Sequence, residues 1–311
     1  MSATAAYGRS RLKSASLSAR LPLMAVCVAI FAWGLGPIAV RSASVSGLTV
    51  AMWRFIVSIP IVLVANKVSG TKIRWADIKR TFTVGVLFGA SIVPGFVSFR
   101  HTSIANATLI PALMPAIVLF VAPKLFGDRI TRREIGWAIL SFVGIGLVVF
   151  GAGHTTGAGR YGDFLAVVNL VLFVGYFLEV KRLRETGLSP ITIVTGTVTW
   201  SLLFVVPFAL LVSDDVWQVT GLDWVRIVFV ALVPGFLGHS LMAYAQRSID
   251  VSVSSLLTLA NPVISTIGAW MILGQSMRAV QVAGAVVLLG ALAAIVLERR
   301  LRVPVDDLEP I

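Results

Sequence analysis

Residues 103–131 read SIANATLIPALMPAIVLFVAPKLFGDRIT, and residues 248–277 read SIDVSVSSLLTLANPVISTIGAWMILGQSM. Both open on Ser-Ile, run through about 20 mostly apolar residues with a proline inside, and stop at a glycine. Ser103-Ile104, Pro115 and Gly127 in the first correspond to Ser248-Ile249, Pro262 and Gly274 in the second, at offsets of 145, 147 and 147. Each copy then continues into a glycine-rich apolar stretch. A run of this length matches one helical crossing of a hydrocarbon core about 30 Å thick. Its recurrence in a shared register divides the chain into two related halves.

The composition agrees. Of 311 residues, 57% are hydrophobic and 13% charged, with a mean hydropathy of +0.93. That is more apolar surface than one soluble core buries, so lipid is the expected solvent. Apolar runs place spans at 21–41, 48–66, 81–99, 103–123, 134–151, 161–180, 190–212, 225–245, 252–273 and 279–297. The fold class read from them is all-α and integral to the membrane, with ten helices as two inverted five-helix repeats around a central cavity. An arm at 1–20 precedes halves at 21–155 and 156–298, and a tail follows at 299–311. The run at 21–40 follows Arg9, Arg11, Lys13 and Arg20 and ends near Ser42-Ala43-Ser44, as a signal peptide would. It is long for a signal h-region, and its loss would break the five-plus-five pattern, so it is read as the first helix.

The net charge of +12 lies in the breaks between apolar runs, which argues against a nucleic-acid partner. Counted on alternate sides of the ten spans, twenty Lys and Arg residues fall on one side and five on the other, with Arg54 inside the second span. The positive-inside rule then places both termini in the cytoplasm. Because five is odd, the second half crosses the membrane in the opposite sense to the first, an arrangement that gives two nearly equivalent packings and hence alternating access. A second match, Val93-Pro94-Gly95-Phe96 with Val233-Pro234-Gly235-Phe236, has an offset of 140. It needs a five-residue gap inside a helix and is set aside as coincidence.

These residues resemble the EamA-type members of the ten-helix drug/metabolite transporter superfamily. The recurring family pattern, a proline-containing helix, Gly-Glu-Arg-Leu-Thr and a glycine-rich helix, is matched by Pro115, Gly127-Asp128-Arg129-Ile130-Thr131, Gly136 and Gly144. The second copy reads Pro262, Gly274-Gln275-Ser276-Met277, Gly284 and Gly290, without the charges. Ala32-Trp33-Gly34 and Arg54-Phe55 are family-like as well. The resemblance covers essentially the whole chain and implies a bacterial inner-membrane exporter of amino acids or related metabolites, most like the amino-acid exporters, including those for aromatic amino acids. Export of cationic drugs and carriage of nucleotide sugars or sugar phosphates are the rival substrates, and a solute channel is the rival class.

Polar groups inside spans are the default functional candidates. His239 can hold a substrate carboxylate when protonated, relay a proton, or sit neutral against a neighbouring helix. Asn106, Asn169 and Asn261 offer donors and acceptors suited to an amino-acid backbone, or bond helix to helix. Trp33, Tyr176 and Tyr244 are candidate stacking surfaces, and Ser91, Ser98, Ser254 and Thr258 are small polar candidates for the same cavity. Gly34, Pro115 and Pro262 are candidate hinges, since a proline frees a backbone carbonyl near mid-membrane. Arg54 reads first as a structural anchor reaching outward and second as an attractor of anionic groups.

The acidic residues fall in loops or at span ends, so a carboxylate-driven proton pump is not expected and facilitated diffusion is favoured. The lone Cys27 allows neither an intrachain disulfide nor a cysteine metal cluster. There is no H-E-x-x-H and no P-loop; Gly89-Ala90-Ser91 with a distant His239 is a weak echo of a serine protease. No enzyme activity, metal or cofactor is expected. The expected partners are the bilayer and a small-molecule substrate, with no obligate protein partner.

Overall fold

The computed structural model describes residues 3–126, 131–151, 159–249 and 257–300. Every regular element among them is helical: α1 (Ala3–Ser42), α2 (Gly47–Ser69), the short α3 (Trp75–Arg80), α4 (Phe82–His101), α5 (Ile104–Leu109) and α6 (Met114–Phe126). There follow α7 (Arg132–Gly151), α8 (Arg160–Glu185), α9 (Pro190–Val212), α10 (Gly221–Val230), α11 (His239–Ala245), α12 (Ala260–Leu273) and α13 (Ala279–Arg300). Among the described residues eight helical segments are long and apolar enough to cross a membrane, and two shorter apolar helices, Ala260–Leu273 and Ala279–Ile295, lie where the last two spans are expected. Large apolar side chains such as Leu63, Phe150, Leu211 and Met271 stand exposed around the bundle, a surface suited to lipid rather than water.

Local sequence explains where the helices begin. Ser46, Ser103 and Ser189 each sit in extended backbone and accept a hydrogen bond from the N–H three residues on, at Thr49, Asn106 and Thr192. Thr131 and Glu134 cap α7 reciprocally, with the Thr131 N–H donating to Glu134 Oε2 at 2.7 Å. The Arg278 N–H donates to Gln281 Oε1 at 3.0 Å ahead of α13. Both residues of that second cap lie 147 positions after those of the first, so the sequence offset extends to the helix starts. Gly274 ends α12 in a left-handed conformation, φ 64°, while Gly127 lies outside the described residues.

Two spans are not plain α-helices. The fourth, expected as one run at 103–123, is α5, a 3₁₀ turn at Pro111–Leu113, and α6. Pro111 has no N–H for the carbonyl four residues back, and Pro115 none for Pro111. The Met114 N–H serves the Pro111 carbonyl instead, tightening the turn. In the eighth span a π-helical stretch, Ala231–Gly238, surrounds Pro234 between α10 and α11. The Val-Pro-Gly-Phe match is then not well described as coincidence. Both copies sit about thirteen residues into their spans, and the five-residue offset is the difference in length between Phe82–His101 and Gly221–Ala245, carried beyond the proline.

The halves are interleaved rather than side by side. Helix α4 packs on α8 and α9, α2 on α9, α7 on α13, α5 on α12, and α1 on α12 and on the run from α10 to α11. At the α7–α13 seam the backbones nearly touch: a Cβ on Gly144 would lie 2.6 Å from the Leu288 nitrogen, and one on Gly284 2.8 Å from the Gly144 carbonyl oxygen. Small residues at such a seam let the helices close to van der Waals contact. At the bundle end bearing Ser42–Gly47, three aspartates of the second half accept from donors of the first. Asp163 takes Thr102 Oγ1 at 2.6 Å and Asn106 Nδ2 at 3.1 Å. Asp215 takes the Ser46 hydroxyl at 2.9 Å and the Thr49 hydroxyl. Asp223 takes the Ser44 N–H at 2.9 Å and the Ser44 hydroxyl.

Candidate functional site

A cavity of about 150 Å³ lies between the halves and is bordered by proline-bearing segments, the two interrupted spans among them. Pro111 and Met114 of the broken fourth span, Gly95 and Phe96 beside Pro94, Pro234 in the π-helical stretch, and Pro262 in α12 all border it. A proline leaves a carbonyl without its helical partner, and in a membrane such a group must be satisfied locally or by water or solute. Two side chains from the opposite half bond to backbone carbonyls beside these prolines. Trp33 Nε1–H donates to the Pro234 carbonyl at 3.0 Å, and Asn169 Nδ2–H to the Ser91 carbonyl at 2.8 Å. Trp33 on α1 reaches the eighth span as Asn169 on α8 reaches the third.

One side of the cavity is aromatic. The His239 ring lies 4.8 Å from Trp33 and 4.6 Å from Phe88, and its Nδ1 is 2.9 Å from the Tyr176 hydroxyl. That contact engages Nδ1, and the imidazole lines the cavity. Tyr176 itself stands behind the lining, packed on Phe88 and Phe173 at 4.7 and 5.3 Å.

Arg54 borders the same space and is only 4% exposed. The expectation of an anchor reaching outward therefore fails: its guanidinium carbon sits 4.8, 5.4 and 5.3 Å from the ring centroids of Phe55, Phe88 and Phe96. Its Nε has no hydrogen-bond partner, and the ion pairs among the described residues all lie elsewhere. Burying a guanidinium without a counter-ion costs several kcal/mol, and each aromatic face returns roughly 0.5–2 kcal/mol. The rings thus offset part of that cost, and no carboxylate among the described residues pairs with the cation.

The other candidates are distributed unevenly. Trp33, Asn169, His239, Thr258, Asn261 and Pro262 line the cavity. Ser91 and Ser98 are buried but donate back to the Phe88 and Gly95 carbonyls of their own helix. Asn106 is turned to Asp163 at the bundle end, away from the cavity. Tyr244 is 45% exposed and does not line it, a correction that follows from its place near the end of α11. Ser254 lies outside the described residues. Gly34 is a packing position more than a free hinge, since its carbonyl accepts from Ser265 at 2.8 Å and a Cβ there would meet Ile264 at 2.6 Å. Pro115 is at the start of α6, and Pro111, one turn earlier, is the proline that borders the cavity. Sequence reading passed over Phe88, Phe96, Phe173 and Pro234. For Phe96 and Pro234 the signal was the repeated Val-Pro-Gly-Phe.

Among the described residues no cluster of three His, Cys, Asp or Glu side chains is placed to hold a metal. A solved crystal structure superposes with a TM-score of 0.69, covering 89% of this chain and 98% of that one at 18% identity, which shows a shared fold. An uncharacterized transporter of Archaeoglobus fulgidus is 26% identical over 265 residues, 83% of this chain and 92% of that one. The uncharacterized transporter YyaM of Bacillus subtilis is 25% identical over 256 residues, 78% and 83% of the two chains. The profile of the EamA-like transporter family matches twice, over residues 20–150 and 160–297. With nearly all of its length covered by the two matches, the chain is a multi-pass membrane transporter that belongs to the EamA-like transporter family.

Proposed function

We propose that this transporter moves small amino-acid-like metabolites by alternating access between inverted halves at 21–155 and 156–298, crossing the membrane ten times with both termini in the cytoplasm. The observation that carries the reading is the cavity at the junction of the halves, bordered by prolines of four spans, Pro37, Pro111, Pro234 and Pro262. The packing supports an inverted pair of five-helix units. Exchanging each span with the one five places later turns the α4–α8 contact into that of the eighth span with α1, while α2–α9 and α7–α13 map onto themselves. The two side-chain caps, Asn169 on Ser91 and Trp33 on Pro234, exchange in the same way. On the orientation given by the Lys and Arg count, the three aspartate contacts join the halves at the outer face. They are the bonds that must break for that face to open.

The cavity suits an amphipathic solute: asparagine amides and an imidazole stand beside aromatic faces, and no carboxylate is among its described lining residues. Transport without a carboxylate-borne proton step follows. The test is counterflow in proteoliposomes holding the purified chain, with labelled amino acid outside and unlabelled amino acid inside. Saturable uptake, accelerated by internal amino acid and indifferent to an imposed pH gradient, is the expected result. Uptake that internal solute does not accelerate would mean a channel. Movement of a cationic drug or a nucleotide sugar alone would overturn the substrate assignment and leave the carrier reading standing.

A further inference from the structure

We infer that Arg54 is the docking point for the solute's negative group, and that the transported class is defined by a single carboxylate on an apolar or aromatic body. The inference deepens the transport reading and rests on it. Arg54 is 4% exposed, borders the cavity, and leaves Nε without a partner. Its neighbours on three sides are the rings of Phe55, Phe88 and Phe96, none of which accepts a full ionic hydrogen bond. On a further side the π-helical stretch passes close, since a Cβ on Gly235 would lie 3.7 Å from Arg54 Nη2. A larger residue there would crowd the guanidinium.

A guanidinium presents a planar fork that matches a carboxylate with two parallel hydrogen bonds. Arg54 is the only Lys or Arg among the described lining residues, so the site balances one negative charge; a phosphate dianion would be left half neutralised. The solute's ammonium finds no carboxylate there, only the faces of Trp33 and Phe173 and the amides of Asn169 and Asn261. Recognition therefore requires the carboxylate and does not require the amine. Cationic amines lacking a carboxylate are repelled by Arg54.

The test uses the full chain in lipid nanodiscs and ligand-induced thermal stabilisation with three probes of one shape: phenylalanine, 3-phenylpropionate without the ammonium, and phenethylamine without the carboxylate. Phenylalanine and 3-phenylpropionate are expected to raise the melting temperature, and phenethylamine to leave it unchanged. Arg54→Met should lower the apparent affinity for 3-phenylpropionate at least tenfold while melting at or above the wild-type temperature. Arg54→Lys, which keeps the charge without the fork, should fall between. Wild-type affinity in Arg54→Met, stabilisation by phenethylamine, or no response to either carboxylate would overturn the inference. So would an Arg54→Met chain that does not fold, since Arg54 would then be structural. Carboxylate binding without counterflow would sink the transport reading and leave the site. Counterflow unchanged in Arg54→Met would sink the site and leave the transport reading.

Discussion

Gly95→Ala separates a packing effect from a functional one. A Cβ at this position would lie 2.7 Å from Asn169 Nδ2 and 3.1 Å from its Cγ. Ordinary contact begins near 3.4 Å, so the amide must retreat by about 0.7 Å. The bond from Asn169 to the Ser91 carbonyl is 2.8 Å, and a shift of that size carries it past the range of a sound hydrogen bond. Losing it costs about 0.5–1.5 kcal/mol, and replacing glycine by alanine inside a helix returns about 1 kcal/mol. The melting temperature should therefore barely move. Transport should not be spared, because Asn169 lines the cavity and would be displaced from it. Counterflow kinetics should show a several-fold rise in KM. Asn169→Ala should reproduce the rise, and Gly95→Ala added to Asn169→Ala should contribute little more, as expected for two changes acting through one side chain. Fully additive effects on KM would refute the reasoning, as would a large loss of stability in Gly95→Ala.

Three further outcomes follow from the geometry. Gly144→Ala places its Cβ 2.6 Å from the Leu288 nitrogen, 2.8 Å from its Cα and 2.9 Å from the Gly284 carbonyl oxygen. These are backbone atoms that cannot swing away, so it should destabilise by about 1–3 kcal/mol, whereas Gly146→Ala, with nothing within 4 Å, should stabilise slightly; thermal melts of the pair decide. Trp33→Phe keeps an aromatic ring and removes the donor to Pro234, costing about 0.5–1.5 kcal/mol for the bond in addition to the packing lost with the smaller ring; hydrogen exchange should rise in residues 231–238 and not in α9. At Asp215 burial acts to raise the carboxyl, but hydrogen bonds from Thr49, Ser46 and Ser213 outweigh it and hold it below its ordinary 3.8. Its contribution to stability is thus complete above 3.8 and lost as pH falls through the lowered folded value. Acid melts of Asp215→Asn should be flatter than wild type across that window.

Much of the fold could be read from the sequence because its determinants are local. Apolar run length fixes crossings, and Ser46, Ser103 and Ser189 announce helix starts. The 147-residue offset, visible at Pro115/Pro262 and Gly127/Gly274, holds also for the caps at Thr131/Glu134 and Arg278/Gln281, which only the structure reveals. The site was legible only in part because its polar groups depend on partners far away in sequence. Asn106 and Asn169 look alike in a hydropathy scan, yet one is held at the bundle end by Asp163 and the other borders the cavity. Arg54 looked like an anchor because long cations near span ends usually reach for water. What reversed this were the rings of Phe88 and Phe96, more than thirty residues away along the chain. The repeated Val-Pro-Gly-Phe was visible but misjudged. A fixed register makes no allowance for a span five residues longer, or for a π-helical stretch that absorbs an extra residue within it.

The placement of charge also bears on how such a carrier would work. Asp163, Asp215 and Asp223 stand at one end of the bundle, each holding donors of the opposite half, while Arg54 stands alone among rings in the interior. The carboxylates therefore act as ties between halves and do not neutralise the interior cation. If the solute's own carboxylate performs that neutralisation, the loaded cavity is electrically quieter than the empty one. The loaded carrier then crosses between its two packings more easily than the empty carrier, for which the bare guanidinium is a penalty in the closed intermediate. Exchange should outrun net flux, and the excess should shrink in Arg54→Met, where the empty cavity carries no charge. Measured side by side, counterflow and zero-trans efflux give the ratio; equal rates in the wild-type protein would show that Arg54 sets no barrier to the empty return.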